Sequence, residues 1–125
     1  MPQMHKTETF QKLATLLSSD APKKWCYLQS IYLFHDGAMR LKECYKEDPG
    51  SDWKSFNTGS SGFDIMDWWE AYHGMVKEAE GNEFKVARAI IDSNGDLKMN
   101  LSYDICDPFA DIDLLTLIEQ LWPDS

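Results

Sequence analysis

Residues 84–104 constrain the fold of this chain more than any other stretch, because two apolar runs flank an Asn-Gly pair there. Asn94 and Gly95 both tolerate positive φ, so the pair is a strong signal for a hairpin turn. The second run alternates, with apolar residues at 97, 99, 101 and 103, as a half-buried strand does. The sequence therefore predicts two antiparallel strands joined at this turn.

The apolar pattern also predicts the register of this hairpin. A two-residue turn would place Arg88 and Asp92 opposite the apolar face of the second strand. A three-residue loop over 93–95, with Gly95 in the αL conformation, instead places residues 87, 89 and 91 opposite residues 101, 99 and 97. Because a slip of one residue turns every side chain to the other face, the pattern favours the three-residue loop.

The turn has a partial likeness to a calcium-binding loop. Asp92, Asn94 and Asp96 have the spacing of the first three EF-hand ligands. An EF-hand also needs a glycine at its sixth position and a glutamate at its twelfth, where this chain has Leu97 and Tyr103. We therefore expect a hairpin without a metal.

Hydrophobic periodicity and turn residues predict the other elements. Strands are expected over residues 25–34, 39–46 and, more briefly, 53–56. Three helices are expected, and the first covers residues 7–19. The second is capped by Ser61, ends at Gly81 and has inward residues at 65, 69, 72, 76 and 79. The last begins at Asp107.

This order, α-β-β-(β)-α-β-β-α, predicts an α+β fold with a largely antiparallel sheet of four to five strands. We expect the three helices to cover one face of that sheet. The 125 residues suffice for one domain, residues 1–125, and the apolar content of 43% argues against disorder.

The expected location is the cytoplasm. The first ten residues contain no apolar signal segment, and no run approaches the ~18 apolar residues of a membrane helix. Cys26, Cys44 and Cys106 are odd in number and lie among apolar residues, which is typical of reduced thiols in a cytosolic protein.

Charge is distributed unevenly along the chain. The net charge is −9, and residues 63–125 contain four bases and fourteen acids. Such a field repels nucleic acid and membrane surfaces and speeds association with a basic partner. Simple solubility is the alternative explanation.

No pattern in the sequence indicates catalysis. There is no P-loop, nucleophile elbow, Rossmann fingerprint or zinc-ligand cluster. Glu70 and His73 have the Glu-x-x-His spacing of di-iron sites, but no second copy exists, so a solvated helix face is expected. We predict a protein that is not an enzyme and binds no cofactor or metal.

Exposed aromatic residues with acidic neighbours are typical of binding hot spots. From residues that are acidic, or aromatic and exposed, outside the predicted buried stripes, we predict eight contacts to a partner: Trp53, Asp64, Asp67, Trp68, Glu70, Asp104, Asp107 and Asp111. Trp68 has a second interpretation, in which it widens the buried face of its helix.

The ordered combination of several features resembles the YezG-like immunity proteins of bacteria. These features span about residues 10–122: Pro22-Lys23-Lys24-Trp25 before an aromatic strand, a helix rich in acid and tryptophan, the IIDSNGDLKM hairpin, Tyr103-Asp104, and Asp107-Pro108. The last helix of that family tends to contain arginine, whereas DIDLLTLIEQLW has none. The target surface could therefore differ, and another immunity family, such as one against contact-dependent inhibition toxins, stays open.

The resemblance implies an antitoxin that binds a cognate toxin domain tightly in the cytoplasm. Such toxins are often nucleases, whose clefts are basic because they hold phosphates. We therefore expect a basic toxin partner, with no binding to nucleic acid or membrane. A small cytosolic enzyme and a general protein-interaction module are the alternatives.

Overall fold

The computed structural model describes residues 6–35, 38–59, 62–103 and 114–122. Its elements are, in chain order, α1 Lys6–Asp20, β1 Tyr27–His35, β2 Ala38–Lys46, β3 Lys54–Ser55, α2 Gly62–Glu80, β4 Val86–Asp92, β5 Leu97–Ser102 and α3 Leu114–Leu121. These described parts contain three helices and one five-stranded sheet, which confirms the predicted α+β fold and order of elements. The predicted cap Ser61 and the predicted helix start at Asp107 lie outside the described residues.

The sheet has the strand order β3-β2-β1-β4-β5, and every pair of neighbours is antiparallel. The β4–β5 hairpin has the predicted register, which pairs residues 87, 89 and 91 with residues 101, 99 and 97. Gly95 has a φ of 87°, the αL conformation expected at the end of a three-residue loop. The conformation of Gly95 and the apolar alternation of β5 thus specify the same register.

The helices lie on both faces of the sheet, so the expectation that they cover one face is wrong. Leu28 and Tyr32 of β1 belong to the main core, which α1 and α2 build. Ile31 and Leu33 belong to a second cluster, which contains Leu117 and Ile118 of α3. Central strands with apolar residues at successive positions need cover on both sides, and α3 provides the second cover.

The main core is rich in aromatic rings that hold α2 against the sheet. Trp69 is fully buried and stacks on Tyr32, with 5.2 Å between ring centroids. Phe84, also fully buried, contacts Tyr32 edge-on at 5.8 Å. Such pairs add about 0.5–1.5 kcal/mol each beyond the apolar area that they bury. The orientation of α2 is therefore well specified, and so is its outer face.

Two further features concern helix length and the cysteines. Within the described residues, no helix combines the length and the apolar character needed to cross a bilayer. Cys26 and Cys44 are thiols, half-buried and buried respectively, while Cys106 lies outside the described residues.

Candidate functional site

The outer face of α2 brings together three of the eight predicted contact residues. Asp64, Asp67 and Glu70 follow one another at intervals of three positions, and all three side chains are exposed. Among the described residues, no lysine, arginine or histidine lies within ion-pair distance of them. We call this group the α2 carboxylates. Their charge is directed to solvent without a counterion from the described chain.

Phe63 lies beside the α2 carboxylates and was missed by the sequence reasoning. Its side chain is 78% exposed, at the first turn of α2. It borders a shallow cavity of about 300 Å³ that Leu41 and Met66 also line. A signal existed, because Phe63 precedes Ile65 by two positions and so is turned about 200° away from the buried stripe. An apolar anchor next to uncompensated carboxylates is the arrangement of a protein-binding surface.

Trp68 is buried, so the prediction that it offers an exposed aromatic contact is wrong. Its side chain is 6% exposed, and its Nε1 donates a hydrogen bond to the carbonyl oxygen of Thr9 at 2.9 Å. The ring stacks on Tyr72, with centroids 5.1 Å apart. The buried stripe of α2 is broad because α1 also packs on it, which the alternative interpretation of Trp68 had anticipated.

Trp53, another predicted contact, is not brought together with the α2 carboxylates. Trp53 is half-buried at a cavity that α3 lines, with the Nζ atom of Lys46 5.0 Å from its ring centroid. Asp104, Asp107 and Asp111 lie outside the described residues. The structure therefore assembles Asp64, Asp67 and Glu70, and separates Trp53 from them.

The β4–β5 turn uses the side chain of Asp92 to hold its own backbone. Asp92 Oδ1 accepts hydrogen bonds from the backbone N–H groups of Asn94, at 2.9 Å, and Asp96, at 3.1 Å. This is the Asx-turn arrangement that makes aspartate common in tight turns. Within the described residues, no cluster of three or more His, Cys, Asp or Glu side chains could hold a metal.

His73 is buried rather than solvated, which corrects the expectation for the Glu70–His73 pair. Its Nε2 lies 3.2 Å from the carbonyl oxygen of Phe84, to which it donates, and its ring centroid lies 4.3 Å from that of Phe34. Burial lowers the pKa of His73, so the neutral ring is favoured. Glu70 is exposed, so these two side chains do not converge on one site.

A hydrogen-bond chain links α2 to the sheet and ends at the half-buried carboxyl group of Glu43. Trp69 Nε1 donates to Ser30 Oγ at 2.9 Å, and Ser30 Oγ donates to Glu43 Oε2 at 3.1 Å. Burial raises the pKa of Glu43, and the bond from Ser30 opposes that rise. This chain positions Trp69 and satisfies a buried hydroxyl group, which is a structural role.

Neither the comparison with protein-family models nor the comparison with curated proteins yields a match to this chain.

Proposed function

We propose that this protein is an immunity protein that binds and neutralises a basic toxin domain through the outer face of α2. The observation that carries the proposal is the juxtaposition of the α2 carboxylates with the exposed ring of Phe63. A basic protein surface is the partner that complements both features. The resemblance to the YezG-like immunity proteins supports the same function.

The two features would act on different rate constants. Long-range attraction between the α2 carboxylates and a basic cleft raises the association rate, from about 10⁵–10⁶ M⁻¹s⁻¹ toward 10⁸ M⁻¹s⁻¹ at low salt. Burial of the Phe63 ring in the partner slows dissociation, because the ring has to return to water when the complex separates. A nuclease is the favoured toxin because its cleft is basic in order to bind phosphates.

The first experiment identifies the partner and tests neutralisation together. The tagged protein is used at low salt to isolate bound proteins from the native cells, and the partner is identified by mass. The isolated partner is then expressed in a test cell with and without this protein. We expect one stoichiometric basic partner that is toxic alone and harmless when the two are expressed together. A partner that is harmless alone would favour the general interaction module instead.

The second experiment tests the surface. Asp67→Lys is expected to lower the association rate about tenfold at low salt, and added salt should lower the wild-type association rate far more than it raises dissociation. Phe63→Ala should mainly speed dissociation. Asp96→Lys, at an exposed position in the β4–β5 turn, makes the same change in net charge away from α2 and is the control. Equal effects of Asp67→Lys and Asp96→Lys would refute the proposed surface.

A further inference from the structure

A second cavity lies on the opposite face of the sheet, between the strands and α3. Its volume is about 610 Å³, within the range of about 300–1,000 Å³ typical of small-molecule sites. Trp53, Leu115 and Ile118 form apolar parts of its wall. The proposed toxin-binding surface on α2 lies on the other side of the sheet, so this cavity is a separate feature.

The sheet face that bears the cavity is basic, although the whole chain is acidic. Side chains alternate between the two faces of the sheet along each strand. Gln29, its pairing partners on neighbouring strands, and every second residue from them therefore project to this face. Through the observed register, this face collects five of the twelve basic residues: Arg40, Lys42, Lys46, Arg88 and Lys98. Lys46 and Arg88 line the cavity itself. Asp92 also projects to this face, so the described strands place five bases and one acid on it.

Gln29 and Arg88 line the cavity, and both have buried polar atoms that lack hydrogen-bond partners in the described chain. Gln29 is fully buried, yet both its Oε1 and its Nε2 are unpartnered. Arg88 is 3% exposed, and its Nε is also unpartnered. Buried polar groups are almost always hydrogen-bonded in native proteins, so three such atoms at one cavity indicate a missing partner.

The guanidinium of Arg88 is fixed in place but forms no ion pair with a carboxylate of the described residues. Its Nη2 donates to Asn100 Oδ1 at 2.7 Å, and its Cζ lies 5.2 Å from the ring centroid of Trp122. Burial lowers its pKa to about 10, which reflects a charge removed from water. Asp52 and Glu119 also line the cavity, but both are exposed, and neither forms an ion pair with Arg88 in the described residues.

We propose that this cavity binds a small organic acid whose carboxylate pairs with Arg88. Guanidinium groups pair well with carboxylates, and the Nε of Arg88 is still without a partner while its Nη2 is bonded to Asn100. The apolar body of the same ligand would pack on the indole of Trp53, which lines the cavity. The exposed carboxylates of Asp52 and Glu119 at the rim disfavour long polyanions such as nucleic acid, and so favour a compact monoanion.

The test uses the full chain labelled with ¹⁵N and four probes of similar size, observed by NMR titration. Salicylate and benzoate both carry the carboxylate, salicylamide is the neutral amide of salicylate and benzylamine is cationic. A ten-atom probe is expected to bind at about the millimolar level. We expect salicylate to shift amides around residues 29, 88 and 118, and to bind about tenfold or more tightly than salicylamide. Benzylamine should shift none of these amides.

Two arginines provide a matched pair of variants, since Arg40 projects from the same sheet face but does not line the cavity. Arg88→Met keeps a long side chain and removes a buried charge, a change that folded proteins often tolerate. We expect it to weaken salicylate binding about tenfold or more, with Arg40→Met unchanged. Trp53→Ala, at a half-buried position, should weaken the binding of salicylate and benzoate alike without a change of fold.

Three results would overturn the proposal. The first is the absence of shifts with every probe at about 10 mM, which would make the cavity a water-filled feature of the fold. The second is equal binding of salicylate and salicylamide. The third is an equal loss of salicylate binding in Arg88→Met and Arg40→Met, which would indicate diffuse attraction to the basic face. None of these results bears on neutralisation of a toxin, so the two proposals fail independently.

Discussion

The strongest stability prediction concerns Gln29, a polar residue at the centre of the sheet. Gln29 pairs with Cys44 on one side and Ile90 on the other, so its same-face neighbours are largely apolar. Its amide is fully buried and makes no hydrogen bond within the described chain. Gln29→Leu replaces this amide by an apolar group of similar volume, and we expect the variant without ligand to be more stable than the wild type.

The magnitude follows from the two unpartnered atoms. Each unsatisfied buried donor or acceptor costs about 1–3 kcal/mol, and leucine removes both. Water in the adjacent cavity relieves part of that cost in the wild type. We therefore expect the free energy of unfolding to rise by about 2 kcal/mol. For a chain of this size, the melting temperature should rise by about 8 °C.

Urea unfolding at pH 7, followed by tryptophan fluorescence, measures this change directly. The slope of the free energy against urea should stay constant, so that a shift in midpoint reports stability alone. Gln11→Leu, at an exposed position of α1, is the matched control and should change stability by less than about 0.5 kcal/mol. A Gln29→Leu variant no more stable than the wild type would refute the reasoning, because it would mean that the amide is satisfied in solution.

Three further predictions concern buried titratable groups and the turn. Because burial raises the pKa of Glu43 above its unfolded value of 4.5, stability should fall as pH rises from 4.5 through the folded pKa. When the free energy of unfolding is measured in urea across this pH range, Glu43→Gln should remove that loss. Glu47→Gln removes a carboxylate whose pKa is lowered by the hydrogen bond from Lys54, so it should change the dependence of stability on pH in the opposite direction. Because burial lowers the pKa of His73 below 6.5, the wild type should lose stability as pH falls below 6.5. His73→Phe should be about 1 kcal/mol less stable than the wild type at pH 7, because the carbonyl of Phe84 loses its hydrogen-bond donor. The variant should not lose further stability as pH falls below 6.5. If it does, another group is responsible for that loss. Gly95→Ala should cost about 1 kcal/mol in thermal unfolding because of its φ of 87°, while Gly50→Ala, where a Cβ meets no atom within 4 Å, should cost nothing. Equal costs at the two glycines would contradict the strain argument.

The sequence by itself determined the order of elements and the register of the β4–β5 hairpin. Both depend on short-range signals. Gly95 accepts the αL conformation that closes a three-residue loop, and the alternation after it allows only one side of β5 to face the core. The place of Asp92 in the turn likewise depends on nearby residues alone, because its carboxylate accepts hydrogen bonds from the N–H groups two and four residues ahead. Local chemistry of this kind does not depend on what packs against the hairpin.

Only the tertiary structure decided which side chains are available to a partner or ligand. Trp68 is buried because α1 packs beside α2, through Thr9 and Phe10. His73 is buried against Phe34 of β1 and against Phe84, whereas Phe63 stays exposed. The cavity beside Gln29 and Arg88 exists because α3 covers the face of the sheet opposite α1 and α2. The sequence shows both polar residues inside apolar strands, but a periodic pattern specifies a face and not the element that covers it. The covering element is determined by long-range packing, which couples residues that are distant in the chain.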